Sequence, residues 1–443
     1  MFKALSARFG NVGSLFGFAL AYTGSAVIQK AIGFGIFLWF AQALPVEEYA
    51  LFGLMYSLQV GVASLALAGL VETTIGGMRT ANSDTEMELL LGRANLTIIL
   101  TAGLSAFGCG ITTLAFTSYG PGLIATASAS GAVIAYCTIQ SQLYRIVEKH
   151  SSALLFNFTP PVGGMLTGML VGFYHKTSLG FFAGFLVGIV IVSLAIGLAS
   201  TRASTADIKP RRPAFAATAM APFAIIAFFE WLSGYGTTFL MEWSFSAQDV
   251  ATFVFAYTIA SVLHLVATSL NQVWSPRIFS YLRNGMGAEI EQQNRIFYTA
   301  QAILIGIAGA VLLAALYASE FVGGGFKYGY GDIAPGLLFL FLSYVVMIPW
   351  YHAQNYYYYH SAGKKLMGLT LMSGVSGVAA WLVAAEYFGP LGGYIGFFAM
   401  VSIKVAVGAY AAKKKWGLTI CWEGPLIGAS ILIATYWLLT SPF

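Results

Sequence analysis

The sequence predicts an all-α polytopic membrane protein with 12–13 transmembrane helices, and three observations support this fold class. Of the 443 residues, 58% are hydrophobic and 9% are charged, whereas soluble globular chains carry about 25% charged residues. Apolar residues occur in blocks long enough to cross a bilayer, which takes about 20 residues. The 50 glycines are typical of closely packed transmembrane helices. A soluble enzyme, a nucleic-acid-binding domain and a disordered protein are therefore excluded.

Apolar blocks separated by charged segments predict thirteen spans. Their ranges are 18–43, 49–75, 94–116, 122–143, 152–174, 178–200, 215–240, 249–273, 296–318, 333–359, 366–387, 392–411 and 423–440. Twelve are clear, and the last is shorter and follows a basic run. The connecting segments are too short to form domains, so we expect the activity to lie within the membrane. The three cysteines form no CxxC motif, which predicts neither a disulfide framework nor a metal site.

Basic residues predict the orientation. Of the 22 Lys and Arg residues, 18 fall on one side of the predicted spans. Lys176 and Lys327 fall on the other side, and Lys30 and Lys404 lie inside spans. Such a bias over short loops places the basic side in the cytoplasm. We therefore expect a multi-pass protein of the inner (plasma) membrane with a cytoplasmic N-terminus and a first apolar segment that is retained.

Two pairs of similar segments indicate an internal duplication. Residues 48–56 align with 249–257 through an acid, an Ala, a Phe and a Tyr, and residues 179–185 align with 391–397. The matches keep the same order and nearly the same offset. They predict two parallel six-helix repeats around a central cavity. The expected bundles are 1–200 and 201–411, and 412–443 holds an extra helix.

Glycines at four-residue spacing mark two spans as tightly packed. Residues of this size at this spacing allow helix backbones to approach closely. They are Gly164, Gly168 and Gly172 on the fifth span and Gly180, Gly184 and Gly188 on the sixth. We interpret them as packing residues.

Three stretches resemble the Wzx-type polysaccharide flippase family. Residues 33–79 contain an apolar run, a small turn, paired acids and Tyr49; residues 359–365 form a basic turn; residues 387–393 form a glycine turn. This family belongs to a superfamily that also holds the multidrug and toxin extrusion transporters and the lipid II flippase. The resemblance covers nearly the whole chain. Ala50, where many relatives have Gly, and the thirteenth span depart from it.

The resemblance implies a transporter rather than an enzyme, with no cofactor. Its expected substrate is an isoprenoid-diphosphate-linked oligosaccharide, moved from the inner to the outer leaflet by alternating access. The product would serve O-antigen, lipopolysaccharide or exopolysaccharide synthesis. Expected partners are the bilayer, a polysaccharide polymerase and the chain-length machinery, with no nucleic acid. Such a ligand requires cations for its diphosphate and aromatic and amide groups for its sugars.

Two charges lie at matching depths in the two predicted repeats. Lys30, beside Gln29, precedes Glu48 by 18 residues, and Glu230 precedes Asp249 by 19. A charge at mid-membrane costs about 2.5–3.5 kcal/mol on insertion scales, so a pair or a shared cavity is expected. Lys30 is a candidate receptor for the diphosphate. Glu230 is a candidate proton carrier or counter-ion of Lys30, and the alternative is a permanent ion pair that fixes one bundle to the other.

A polar face on the eighth span predicts a cavity wall. Tyr257, His264 and Asn271 recur every seven residues, and Gln272 adjoins them. Residues at this spacing share one face of a helix. The alternative is a neutral histidine that bonds to a neighbouring helix.

Several further residues are candidates for a functional or a structural role. Arg79 and Arg277 end the repeat-related spans, where they either collect anionic headgroups or anchor the helices. Pro349 is expected to kink the tenth span. His352, Gln354 and Asn355 are candidates for binding sugar, and the tyrosines that follow them resemble an interfacial belt. Lys404 is interpreted as a snorkelling residue.

Absent motifs and short outer loops limit the alternatives. The sequence has no GxxxxGK[ST], HExxH or GxSxG motif, so ATP hydrolysis at a P-loop and protease or hydrolase chemistry are not expected. A cation-coupled exporter of small amphipathic compounds shares the topology but favours acidic cavity residues. A membrane polymerase or ligase of lipid-linked glycans usually needs a large outer loop, and none is present.

Overall fold

The computed structural model describes residues 24–25, 27–70, 84–146, 149–201, 217–321, 327–360 and 362–441, and within these ranges every regular element is a helix. The helices are α1 Val27–Ala43, α2 Val46–Leu67, α3 Asp84–Phe116, α4 Pro121–Ile146, α5 His150–His175, α6 Ser178–Thr201, α7 Ala217–Leu232, α8 Thr237–Ser244, α9 Ala247–Arg283, α10 Gly287–Phe321, α11 Tyr330–Val346, α12 Ile348–Tyr359, α13 Gly363–Phe388, α14 Pro390–Trp416 and α15 Glu423–Thr440.

Eleven spans in the described ranges are long and apolar enough to cross a membrane, or twelve if the bent pair of α7 and α8 forms one span. α11 and α12 together form one of these spans, and α1 is a shorter apolar helix. Within the described residues, each predicted span corresponds to one of these spans, to α1 or to the bent pair, and the thirteenth is α15. The predicted positions 18–23, 26, 71–75 and 215–216 lie outside the described residues. The predicted all-α polytopic fold is confirmed.

The chain divides into two compact units. The first holds the described residues up to Glu48 and from Met55 to Ala224, and the second holds Tyr49–Leu54 and the described residues from Ile225 onward. α15 belongs to the second unit, where Gly428 packs against α10: a Cβ on Gly306 would lie 2.7 Å from the Gly428 Cα. The predicted six-helix duplication remains a prediction.

The glycine stripes of α5 and α6 form a close helix–helix contact in the first unit. A Cβ on Gly168 would lie 2.9 Å from the Phe181 carbonyl oxygen, and one on Gly184 would lie 2.8 Å from the Thr167 carbonyl oxygen. The Thr167 hydroxyl donates across the contact to the Gly184 carbonyl at 2.9 Å. The predicted packing role of these glycines is therefore confirmed.

The acids of the predicted repeat stabilise helix N-termini. The Glu48 carboxylate accepts a hydrogen bond from the Ser178 backbone N–H at 2.7 Å, at the start of α6. Asp249 forms a capping box with Ser246 at the start of α9. Both carboxylates satisfy backbone donors that a helix leaves unpaired in its first turn.

A break divides the seventh predicted span close to its acidic residue. α7 ends at Leu232, a turn of residues 233–236 follows, and α8 leaves at 52°. Glycine is required in the turn because a Cβ on Gly236 would lie 2.7 Å from the Leu232 Cα. Glu230 thus lies two residues before the end of α7, next to the break.

The segment 274–295, which separates the predicted spans 249–273 and 296–318, is not a loop. α9 continues to Arg283 and α10 begins at Gly287, so most of this segment is helical. Helix continuation depends on backbone propensity, and Arg, Gln and Leu favour it about as well as apolar residues do. Hydropathy marks the end of the apolar run and not the end of the helix. Similarly, α3 begins at Asp84, before the predicted span 94–116.

Candidate ligand cavity in the second unit

A cavity of about 190 Å³ lies within the second unit. It is bounded by the end of α7 and its following turn and by α9, α11, α12 and α14. Its lining residues combine a charged pair, polar groups and aromatic rings: Glu230, Ser233, Gly234, Tyr257, His264, Thr268, Tyr344, Met347, Trp350, Tyr351, Gln354, Phe397, Val401 and Lys404.

An ion pair with a buried lysine forms the charged part of this cavity. The Lys404 Nζ donates to the Glu230 Oε2 at 2.5 Å, and the two side chains are 8% and 38% exposed. The ammonium also lies 5.2 Å from the centre of the Trp350 ring, within the range of a cation–π contact. The two charges compensate each other, since an isolated buried charge is strongly unfavourable.

This pair bears on two interpretations from the sequence. Glu230 is, from the sequence, a candidate proton carrier, a counter-ion of Lys30 or half of a permanent ion pair, and in the structure it pairs with Lys404 of the same unit. Lys404 was interpreted as a snorkelling residue, but it is buried and lies about 18 Å along α14 from Trp416, at about 1.5 Å per residue. The available signal was its isolation: Lys404 is the one charged residue in the segment 390–412.

Aromatic rings form much of the cavity wall. Tyr257 stacks on Phe253, with ring centres 5.8 Å apart, and meets Phe397 edge-on at 5.8 Å. His264 stacks on Tyr344 at 5.2 Å with an interplanar angle of 12°. The two wall residues Tyr257 and His264 come from the predicted polar face of α9. Such rings offer flat surfaces and polar edges to a ligand.

Three buried polar atoms of the cavity have no hydrogen-bond partner among the described residues: the hydroxyls of Tyr344 and Tyr351 and the Glu230 Oε1. Tyr351 is 6% exposed. An unsatisfied buried polar group costs about 1–3 kcal/mol, so these atoms are suited to bonding a polar ligand.

Asn271 lies in a hydrogen-bond network and not on the cavity wall. The Asn355 amide donates to the Asn271 Oδ1 and to the Tyr298 hydroxyl, each at 2.9 Å. The Ser275 hydroxyl donates to the Asn355 Oδ1 at 2.7 Å. This network ties α9, α10 and α12 together, which makes it structural. Gln272, the neighbour of Asn271, is exposed.

The three sugar-binding candidates of α12 separate in the structure. His352 is buried, with its Nε2 3.2 Å from the Asn294 Nδ2 and its ring stacked on Tyr298 at 4.9 Å. Asn355 belongs to the network described above. Gln354 lies on the cavity wall. One of the three candidates therefore faces the cavity.

The remaining site candidates lie elsewhere. Lys30 is exposed and Gln29 half-buried on α1 of the first unit. Arg277 is exposed within α9, before the end of that helix, and its guanidinium lies 5.5 Å above the Trp274 ring. Arg79 lies outside the described residues.

The sequence matches no protein-family model and no curated protein, but the structure is similar to solved transporters. One is an inward-facing multidrug-resistance transporter of the MATE family in the MOP superfamily, with a TM-score of 0.64, 15% identity and coverage of 92% of this chain and 96% of that one. Another is the lipid II flippase MurJ in an inward closed conformation, with a TM-score of 0.53, 12% identity and coverage of 95% and 98%.

A third similar structure is a MOP-superfamily transporter from Pyrococcus furiosus, described as having a binding pocket of reversed polarity. Its TM-score is 0.53 at 14% identity, with coverage of 89% of this chain and 93% of that one. Identities this low show a shared fold. The chain is thus a multi-pass membrane protein with the fold of the MATE and MurJ transporters.

Proposed function

We propose that this protein moves an isoprenoid-diphosphate-linked oligosaccharide from the inner to the outer leaflet by alternating access. Two features support the proposal: the transporter fold, which the lipid II flippase MurJ shares, and the lipid-linked substrates that the family resemblance implies. The observation that carries it is the buried Lys404 in a cavity with aromatic walls and a broken helix. Cations in membrane proteins mark pathways of polar substrates, and broken helices form transporter binding sites.

The chemistry of the cavity matches parts of such a substrate. Lys404 offers a cation to a phosphate or an acidic sugar. Tyr257, Tyr344 and Trp350 offer ring faces to sugars, and the Gln354 amide offers hydrogen bonds. From the distribution of basic residues we infer that the protein lies in the inner membrane with its N-terminus in the cytoplasm. From the substrate class we infer a polysaccharide polymerase and the chain-length machinery as partners.

Lys30 is our proposed second receptor for the diphosphate, in the first unit. Lys30→Ala is expected to abolish export while the protein remains in the membrane. Lys30→Arg should retain part of the activity because the charge persists while the donor geometry changes. Lys176→Ala, an exposed lysine between α5 and α6, is the matched control. Normal export by the Ala variant would remove Lys30 from the pathway.

Gene deletion tests the substrate class. Cells without the protein should accumulate diphosphate-linked glycan units on the inner leaflet, and the wild-type gene should clear them. Unchanged glycan levels together with increased sensitivity to amphipathic compounds would favour another function.

A second candidate function is the cation-coupled export of small amphipathic compounds. The aromatic wall, the Glu230 carboxylate and the fold shared with a multidrug transporter favour it. Lys404 opposes it, because a cationic substrate would meet an acid that already has a counter-ion. Uptake by everted vesicles of a cationic dye, compared with glycan-lipid transport, separates the two functions.

A further inference from the structure

The two members of the Glu230–Lys404 pair are held differently. Lys404 is 8% exposed and is confined by the carboxylate and by the ring of Trp350. Glu230 is 38% exposed and lies two residues before the break between α7 and α8. The lysine is therefore a fixed cation, whereas the glutamate has room to change its rotamer.

The pair is also incompletely bonded. The Glu230 Oε2 accepts from Lys404, but the Oε1 of the same carboxylate is buried without a hydrogen-bond partner among the described residues. The Tyr351 hydroxyl on the same wall is unpartnered too. A permanent structural ion pair is stabilising when further hydrogen bonds satisfy its remaining atoms, and these atoms lack them.

The charges of the cavity leave one place for an anion. Among its lining residues, Lys404 and Glu230 are the formally charged side chains, and His264 is the one histidine. An entering anion therefore meets a single lysine that Glu230 already occupies. The volume of about 190 Å³ is below the range of about 300–1,000 Å³ for whole-ligand pockets, so a charged group with an adjoining part of the substrate fits and a whole oligosaccharide does not.

We propose that Lys404 is an anion receptor and that Glu230 occupies it in place of the ligand. A phosphate or carboxylate of the substrate displaces the Glu230 carboxylate from the Lys404 Nζ and accepts a hydrogen bond from the Tyr351 hydroxyl. This assignment rests on the proposed function for the identity of the ligand. Two sources supply the same chemistry: the diphosphate linker and an acidic sugar of the glycan.

The proposal has an asymmetric consequence. Glu230 competes with the ligand, so Glu230→Gln should strengthen anion binding, whereas Lys404→Gln should abolish it. If the pair only fixed α7 to α14, both substitutions would weaken binding through the same loss of structure.

The experiment measures binding to the purified full-length protein in detergent at low salt. Farnesyl diphosphate is the probe for the linker, and methyl β-D-glucuronide is the probe for an acidic sugar. Glu230→Gln is expected to bind at least one probe about fivefold tighter than wild type, or more, which is the low end of usual coupling between sites. Tyr351→Phe should weaken binding of the same probe, and Lys413→Gln, an exposed lysine of α14, should leave it unchanged.

Gel filtration checks that each variant is folded. The double variant Lys404→Gln with Glu230→Gln is a second control, because it leaves no unpaired charge. This variant should be folded and bind neither probe. Farnesyl diphosphate binding that depends on Lys404 assigns the diphosphate, and glucuronide binding that depends on Lys404 assigns the sugar. The proposal is overturned if neither wild type nor Glu230→Gln binds a probe, if Lys404→Gln retains binding, or if Glu230→Gln weakens it.

Failure of the receptor proposal can be distinguished from failure of the proposed transport function. Lys404-dependent anion binding in a protein whose deletion leaves glycan-lipids unchanged would reject the transport of glycans and keep the receptor. If deletion causes glycan-lipids to accumulate but anion binding does not depend on Lys404, the receptor role of Lys404 is rejected and the proposed transport function is retained.

Discussion

Single charged residues decide the chemistry of this membrane protein, because each buried charge needs a local compensation. Lys404 and Glu230 are separated by 174 positions in the chain and meet at 2.5 Å. Arg295 and Glu423 also form an ion pair, but their side chains are 62% and 59% exposed. Solvent screens the Arg295–Glu423 pair but hardly reaches Lys404. The coupling free energies of the two pairs should therefore differ.

A double-mutant cycle measures this difference. For Lys404→Gln and Glu230→Gln we expect a coupling free energy of about 2 kcal/mol, because Glu230→Gln leaves the buried Lys404 ammonium without its counter-ion, while the partial exposure of Glu230 reduces the effect of the other change. For Arg295→Gln and Glu423→Gln we expect a much smaller coupling, because solvent screens the exposed pair. Unfolding in detergent gives both values. Equal coupling in the two cycles would mean that burial does not strengthen the Lys404 pair.

At the scale of elements, helix pairs are held by close backbone contact. α5 and α6 approach along their glycines, and the Thr167 hydroxyl donates to carbonyls of both helices. The packing gains from this approach exist only while the side chains stay small. Gly197 of α6 has no such role, because a Cβ there would meet no atom of the described residues within 4 Å.

Valine substitutions on α6 test this distinction. Gly184→Val places a Cβ 2.8 Å from the Thr167 carbonyl oxygen, so we expect a loss of about 1–3 kcal/mol in stability from overpacking. Gly197→Val on the same helix should change stability by less than about 0.5 kcal/mol. Thermal unfolding of both variants in one detergent provides the comparison. A similar loss in both would point to helix propensity instead of packing.

At the scale of the whole molecule, the distribution of basic residues sets the orientation that we propose. The turn between α9 and α10 includes the exposed Asn284 and lies beside Arg277 and Arg283, whereas the turn between α5 and α6 includes the exposed Lys176. The basic side should remain in the cytoplasm because positively charged loops are poorly translocated.

Cysteine labelling checks this orientation in a background without Cys109, Cys137 and Cys421. Asn284→Cys should resist an impermeant thiol reagent in intact cells and react after permeabilisation. Lys176→Cys should react in intact cells. The opposite pattern would reverse the topology and place the N-terminus outside.

Sequence by itself determined the spans, the all-α class and the glycine faces along which α5 and α6 are tightly packed. These features depend on local composition: apolar runs of bilayer length and glycines at fixed spacing act within one or two helices. The broken helix at residues 233–236 was missed because an apolar run of sufficient length looks the same whether it is straight or bent.

Tertiary structure alone decided which side chains meet. Periodicity places Tyr257, His264 and Asn271 on one face of α9, yet the first two line the cavity and the third bonds to Asn355. Lys404 has the same isolated position in its span as Lys30, but its carboxylate partner comes from α7. A helical pattern gives the direction of a side chain around its own axis, whereas its partner depends on which helix packs there.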